Sequence, residues 1–356
     1  MKQLSQIYLI SLLIITVSGC SGIRYYTQAA GGQMTLLMDA RPIPAVVRDP
    51  ATDDELRQAL ITAVEVREFA REHLALPVAG SFREFVALER PHVVVNLVAV
   101  PEFSLQPHQW CYPVVGCQSY RGYFDLQLAR AEQRRFEALG YDTLLAGVSA
   151  YSTLGWFDDP LHTGFTTLPP DRMAALIIHE LSHQVVYVGG DTAFNESYAT
   201  AVELEGLRLW LQIRGEPEDF AKAMARLEYR EQTLALVESA LPKLRALYQQ
   251  QADLPVAELR ARKQALLDQL REDYLALARS WPVPGPFGAA LEALSNAHLA
   301  LFRQYHQYVP GFRQLLRDHD HDFGRFHRAV RALAKQPAER RSAALVALGQ
   351  RFDEHL

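Results

Sequence analysis

The sequence predicts an α+β protein that is predominantly α, with a small mixed β-sheet and a long helical hairpin. Segments with strand character lie between residues 92 and 154, whereas almost everything from Pro169 onward is helical in character. The chain has 356 residues, of which 49% are hydrophobic and 22% charged, so a disordered or fibrous chain is excluded. The formal net charge is −5 without a long basic run, which argues against a nucleic-acid partner.

The beginning of the chain has the pattern of an export signal. Met1-Lys2 is followed by the apolar stretch Ile7–Val17 and by Val17-Ser18-Gly19-Cys20. This pattern describes a secretory signal whose apolar part is too short to span a bilayer comfortably. The last four residues resemble the bacterial lipobox, which implies cleavage before Cys20 and a lipid bilayer as partner through the acylated Cys20. Ser21 indicates the outer membrane, facing the periplasm. The alternative is a plain signal peptide with an incidental cysteine.

The elements after the signal are predicted from periodicity and from breaking residues. Residues 22–75 are mainly helical, because the acidic run Asp53-Asp54-Glu55 precedes apolar residues at helical spacing. The β-branched run His92–Val100 predicts a strand that ends at Pro101. Two further segments have strand character, Val114–Tyr120 and Leu144–Leu154. Between them, Phe124–Leu139 predicts an amphipathic helix that Gly140 closes.

The C-terminal half predicts a pair of long antiparallel helices. Residues 216–280 are rich in helix-forming side chains and are interrupted near Asp253-Leu254-Pro255. Trp281–Pro286 predicts a turn, and we expect a further break at Val309-Pro310-Gly311. The predicted regions are a signal peptide (1–19), a lipid-anchored helical segment (20–90), a catalytic core (91–215) and a helical C-terminal region (216–356).

Two cysteines close together offer a possible disulfide. Cys111 and Cys117 lie in a short segment that Pro113 and Gly116 can turn. In an exported protein such a pair can be oxidised. Two buried free thiols are the alternative, because the sequence does not give the geometry that a bridge needs.

The segment His179-Glu180-Leu181-Ser182-His183 is a His-Glu-x-x-His motif. Leu168-Pro169-Pro170-Asp171 predicts a helix start, the run to Ile178 is apolar, and Gly189-Gly190 is expected to end the element. The two histidines are then one turn apart on one helix face, where both can bind one Zn²⁺ while Glu180 acts on a water as general base. Chance alone gives roughly 0.03 such matches in a chain of this composition.

Zinc needs a third protein ligand, which leaves one position for water. Glu196 follows the glycine turn, and Asp191 or Asn195 could cap a second helix that packs back on the first. The pair Asn195-Glu196 resembles the third-ligand motif of the gluzincins. Glu203 is one heptad later, where it either supports a ligand or replaces Glu196 as the ligand.

Several segments together resemble a bacterial family called predicted aminopeptidases. They are Trp110-Cys111, Tyr120–Phe124, Ala150–Phe157, His179–Gly206, Asn296-Ala297 and Tyr305 to Pro310. The resemblance implies a zincin-like catalytic unit, one zinc ion and a peptide substrate.

The resemblance also suggests residues that act on the substrate. In thermolysin-like enzymes a strand at about this place binds substrate by strand addition, which suggests Tyr151, Ser152 and Thr153 as substrate-binding residues. The alternative is that these residues belong to an ordinary sheet strand. Tyr305 is the candidate donor to the reaction's oxyanion, with Tyr151 and His298 as alternatives. The tract His319-Asp320-His321-Asp322 is expected to be a surface turn rather than a second metal site.

We therefore expect a lipid-anchored zinc-dependent peptidase of the bacterial cell envelope, in particular an aminopeptidase. One alternative is a zinc endopeptidase, and another is a hydrolase of a different amide bond, such as a cell-wall peptide. A third is a non-catalytic envelope binding or scaffold protein that retains a zinc site. Glu180 argues against the third, because binding zinc would not by itself require that residue.

Overall fold

The computed structural model describes residues 22–90, 92–112, 116–148, 150, 153, 157–288, 291–303 and 307–353. Helices dominate this part of the chain, in agreement with the predicted fold class. In chain order they are α1 (22–39), α2 (Ile43–Arg48), α3 (Asp54–His73), α4 (Leu126–Ala138), α5 (Thr163–Thr166), α6 (Pro170–Ser182), α7 (Thr192–Arg214), α8 (Pro217–Tyr248), α9 (Val256–Ala278), α10 (Asn296–Arg303), α11 (Val309–Arg317), α12 (Phe323–Ala334) and α13 (Ala338–Gly349).

The strands form small sheets of two or three members. They are β1 (Arg41–Pro42), β2 (Glu84–Val86), β3 (Val94–Pro101), β4 (Trp110–Tyr112), β5 (Gly116–Gln118), β6 (Arg121–Tyr123), β7 (Tyr141–Val148) and β8 (Leu161–His162). One sheet has the order β1-β2-β8, with β2 and β8 parallel, and a second has the order β6-β3-β7, antiparallel throughout. The strands β4 and β5 form a separate antiparallel hairpin.

The main core lies between helices α3, α6 and α7 and the C-terminal helices. Leu60, Ile177, Tyr198 and Phe312 are among its fully buried members, one from each of α3, α6, α7 and α11. Aspartates begin two of these helices: Asp53 accepts from the backbone N–H of Leu56 at the start of α3, and Asp191 does the same for Phe194 at the start of α7. These caps fix where each helix starts.

The predicted helical hairpin is present as α8 and α9, which share an apolar core of their own. The hairpin is tied to the antiparallel sheet through Lys263 of α9, whose buried ammonium lies 2.7 Å from the carboxylate of Asp142 on β7. Lys263 also donates to the backbone carbonyl of Glu102. Within the described residues, no helix has both the length and the apolar character needed to cross a membrane.

Three predicted boundaries differ from the structure. The strand expected to run from Leu144 to Leu154 ends at Val148. The helix of the His-Glu-x-x-His motif ends at Ser182, well before Gly189-Gly190, and His183 is its C-cap. Pro310 does not interrupt a helix but lies in the first turn of α11, where proline removes no helical hydrogen bond. The division into four regions remains a prediction.

Candidate metal centre

Three side chains from α6 and α7 converge on one point. The Nε2 atoms of His179 and His183 are 3.2 Å apart, and Oε2 of Glu196 lies 3.3 Å from the first and 3.7 Å from the second. All three side chains are largely buried, with 8–13% of their surface exposed. The described residues thus contain a His-His-Glu group that could hold a metal ion.

The antiparallel packing of α6 and α7 produces this convergence. His179 contacts Glu203, whereas His183, one turn later on α6, approaches Glu196, almost two turns earlier on α7. Contacts that run in opposite directions along the two helices require antiparallel axes. The loop of residues 183–191 reverses the chain, and Asp191 starts α7 at the position that brings Glu196 back to the histidines.

Glu203 orients His179 from the side away from the convergence point. Its Oε2 lies 3.0 Å from Nδ1 of His179, a distance at which an Nδ1–H donates to the carboxylate. With the proton on Nδ1, the Nε2 lone pair is directed toward His183 and Glu196, which is the tautomer that a metal ligand needs. Glu203 thus contacts the ring nitrogen of His179 that faces away from His183 and Glu196.

The charges around the histidines are unevenly distributed. Burial opposes a charge on His179, but hydrogen bonds to Glu196 and Glu203 outweigh it and raise the pKa of His179 well above its usual value. Burial lowers the pKa of His183 to about 4, despite the nearby charge of Glu196. Without a cation between them, Glu196 and Glu203 therefore favour a second proton on His179, which must leave Nε2 before that nitrogen can bind a metal ion, whereas His183 is held neutral. The Nδ1 atom of His183 has no hydrogen-bond partner among the described residues.

Glu180 lies beside the group on α6 and is itself buried. Burial raises its pKa to about 7, and the carboxylates of Glu196 and Asp159 add to that rise while His179 opposes it. A carboxylate whose pKa is near neutrality can both accept and release a proton. This is the property that a general base in hydrolysis requires.

The residues present fit a zinc ion by geometry and by donor type. Tetrahedral zinc with bonds of about 2.0–2.1 Å to nitrogen and oxygen separates neighbouring ligand atoms by about 3.3 Å. The three distances found here, 3.2, 3.3 and 3.7 Å, are close to that value. Two imidazole nitrogens and a carboxylate oxygen facing one another are electron-pair donors, an arrangement that a bound cation stabilises.

The predicted substrate residues are only partly described. Tyr151, Ser152 and Tyr305 lie outside the described residues, as does Cys20. Thr153 lies in a loop, where its backbone N–H and its hydroxyl both donate to the buried carboxylate of Asp159.

Other predicted residues are engaged elsewhere. His298 accepts a hydrogen bond from the backbone N–H of Ser295. Cys111 and Cys117 are joined by a disulfide across the β4–β5 hairpin. Residues 318–321 form an exposed turn after α11, with positive φ at Asp320 and His321.

Two residues near the group escaped sequence reasoning. Asp159 lies in a loop, and its charge acts on Glu180. The sequence around it contains no motif, and Asp158 and Pro160 on either side indicate only a turn. Gln118 reaches the loop between α6 and α7 from β5 and donates from Nε2 to the hydroxyl of Tyr187, 2.9 Å away. A glutamine in a short strand carries no signal of such a contact.

Two antiparallel helices bring together two histidines and a glutamate, with a buried carboxylate beside them, and define a candidate metal centre. The family model described as "Putative aminopeptidase" matches residues 24–345, and the chain belongs to this family. The predicted resemblance is thereby confirmed. No curated protein matches the chain, and no solved structure matches it either.

Proposed function

We propose that this chain is a zinc-dependent peptidase that removes residues from the N-terminus of peptides. The observation that carries the proposal is the convergence of His179, His183 and Glu196 with the buried carboxylate of Glu180 beside them. Membership of a family named for aminopeptidase activity supports the peptide as substrate.

The chemistry divides between the ion and the side chains. His179, His183 and Glu196 would hold a zinc ion, which would supply a Lewis acid to polarise the scissile carbonyl and make water more acidic. Glu180 accepts a proton from the water whose oxygen attacks the carbonyl carbon, and it gives that proton to the amine nitrogen as the C–N bond breaks. Glu203 keeps His179 in the required tautomer throughout.

Two variants and one product analysis test the activity. The chain without residues 1–21 should shorten a long peptide by single N-terminal residues, and Glu180→Gln should lose that activity while keeping its metal. Internal cuts would instead indicate an endopeptidase, and cleavage confined to cell-wall peptides would indicate the other amide hydrolase. Stoichiometric zinc with no cleavage of any of these substrates would favour a binding or scaffold protein.

We further propose that the chain is a lipoprotein of the bacterial outer membrane, anchored through Cys20 and facing the periplasm. The support is the sequence Val17-Ser18-Gly19-Cys20 behind a short apolar segment. Cys20→Ala should move the protein from the membrane fraction to the soluble fraction or block its processing. An unchanged distribution between the fractions would refute the anchor.

A further inference from the structure

Helix α1 carries large apolar side chains on the face that solvent reaches. Ile23, Tyr26, Met34 and Met38 each have 52–71% of their surface exposed. They make up four of the twelve exposed large apolar residues in the described part of the chain, although α1 covers only residues 22–39. Exposed apolar side chains that cluster on one element indicate a surface that another molecule or a lipid covers.

These side chains form one continuous stripe along the helix. With about 100° of rotation per residue, the residues within an arc of about 120° are all apolar except one threonine. They are Ile23, Tyr26, Thr27, Ala30, Met34, Leu37 and Met38, and we call them the α1 stripe. The stripe contains no charged residue, and the exposed side chain of Arg24 lies next to it on the helix.

The opposite face of α1 is already packed on the rest of the protein. Gln28, Gly32 and Leu36 follow one another at one-turn intervals along this face. The side-chain oxygen of Gln28 accepts from the backbone N–H of Phe124 at 2.9 Å, and a Cβ on Gly32 would overlap the ring of Phe124. Leu36 is buried in a cluster with Val94 and Phe124. Because this face holds α1 in place, the helix cannot also bury the stripe against the protein.

The position of α1 in the chain selects lipid as the molecule that covers the stripe. Ile23 follows Cys20 by three residues, which span at most about 11 Å. Acyl chains that enter a bilayer at Cys20 therefore keep the start of α1 at the lipid surface. Tyr26 has the combination of ring and hydroxyl that is enriched at membrane interfaces, and Arg24 can reach lipid phosphate groups.

We propose that the α1 stripe lies in the surface of the phospholipid bilayer that holds Cys20, with the helix axis parallel to the membrane. The acyl chains then retain the protein, and the stripe fixes which side of it faces the lipid. The proposal rests on the proposed anchor, since the nearness of Cys20 is what selects lipid. A short helix face by itself binds reversibly, so the release expected of Cys20→Ala is unaffected.

Flotation with vesicles tests the stripe without the anchor. The chain without residues 1–21 keeps every residue that the structure describes, and the vesicles contain phosphatidylethanolamine and phosphatidylglycerol. The wild-type chain should float with the vesicles, and Met34→Gln combined with Met38→Gln should bind them roughly 10-fold more weakly or less, because two apolar side chains no longer enter the lipid.

Ile213→Gln combined with Val256→Gln is the matched control for this pair. Ile213 and Val256 are 55% and 50% exposed, on α7 and α9, and their replacement should leave vesicle binding unchanged. All four side chains are exposed, so each variant should fold as the wild type does, which circular dichroism checks. Equal vesicle affinity of the wild type and the methionine variant would overturn the proposal.

A fluorescent label shows which face meets the lipid. In the chain without residues 1–21 the two native cysteines are joined in a disulfide, so an environment-sensitive dye can be attached to Met38→Cys alone. Its emission should shift to the blue when vesicles are added, whereas the same dye on Val346→Cys of α13 should not respond. The opposite pattern would contradict the proposal, as would a stripe-dependent dimer in light scattering that does not bind vesicles.

The anchor and the stripe fail in different ways. If Cys20→Ala releases the protein but the chain without residues 1–21 does not float with vesicles, the anchor stands and α1 does not lie in lipid. If Cys20→Ala leaves the distribution between fractions unchanged, the anchor is refuted, and flotation of the chain without residues 1–21 still decides whether the stripe binds lipid.

Discussion

The contact between Glu203 and His179 predicts how metal affinity depends on a residue that does not bind the metal. The two side chains are 3.0 Å apart, with 26% and 12% of their surfaces exposed. Loss of such a support typically costs 10–100-fold in metal affinity, or about 1.4–2.7 kcal/mol. Glu203→Gln keeps an acceptor for the Nδ1–H and removes the charge, so we expect a loss of about 10-fold. Glu203→Ala removes both and should approach 100-fold.

Competition with a fluorescent zinc chelator measures these affinities. Glu65→Gln is a matched control, because Glu65 forms an exposed ion pair with Arg214 on the surface of α3. It should bind zinc as the wild type does. If Glu203→Ala kept wild-type zinc affinity, Glu203 would not orient His179. If Glu203→Ala lost zinc entirely while Glu196→Ala kept it, Glu203 would be the third ligand.

Three further predictions concern stability, measured by denaturant unfolding. Glu205→Gln removes the charge that faces the buried guanidinium of Arg313 at 2.8 Å and should cost about 3 kcal/mol at pH 7. Burial opposes the charge on Glu205, but the charge of Arg313 outweighs burial and lowers the Glu205 pKa. The stabilisation by this ion pair is therefore present above about pH 4 and is lost as the pH falls through the lowered pKa. Equal losses of unfolding free energy in Glu205→Gln at pH 7 and at pH 3 would contradict this. Replacing Cys111 and Cys117 by serine should cost about 2 kcal/mol, and two free thiols in the denatured, unreduced chain without residues 1–21 would refute the bridge. Lys263→Met removes the ammonium that faces the carboxylate of Asp142, which keeps only its hydrogen bond from the backbone N–H of Asn296 among the contacts described, and should cost about 3 kcal/mol. A loss below about 1 kcal/mol would count against the contact between Lys263 and Asp142.

Local patterns predicted the helices, and brought together the three candidate ligands, because each depends on residues close in sequence. The spacing of His179 and His183 places them on one face of α6 wherever that helix packs. Glu196 could be found because Asp191 caps the start of α7, and the start of that helix decides which of its residues share a face with Glu196. Glu205, two residues after Glu203 and so on another face of α7, contacts Arg208 and Arg313.

The remainder of the site depends on contacts between distant parts of the chain. Gln118 and Tyr187 are 69 residues apart, and no periodicity or motif connects them. Asp159 acts on Glu180 from a loop, where side-chain directions follow from tertiary packing. The predicted end of α6 was also wrong. The helix ends at Ser182 with His183 as its C-cap, and Gly189 and Gly190 lie in the loop shortly before α7 begins.

Metal content is the measurement that tests the central claim most directly. The chain without residues 1–21 is loaded with zinc, dialysed and analysed by mass spectrometry, with circular dichroism to verify folding. The wild type and Glu180→Gln should each hold one zinc ion per chain, whereas His183→Ala and Glu196→Ala should hold little or none. A folded wild type that retains no zinc after supplementation would contradict the account, because His179, His183 and Glu196 would then converge without a metal to bind.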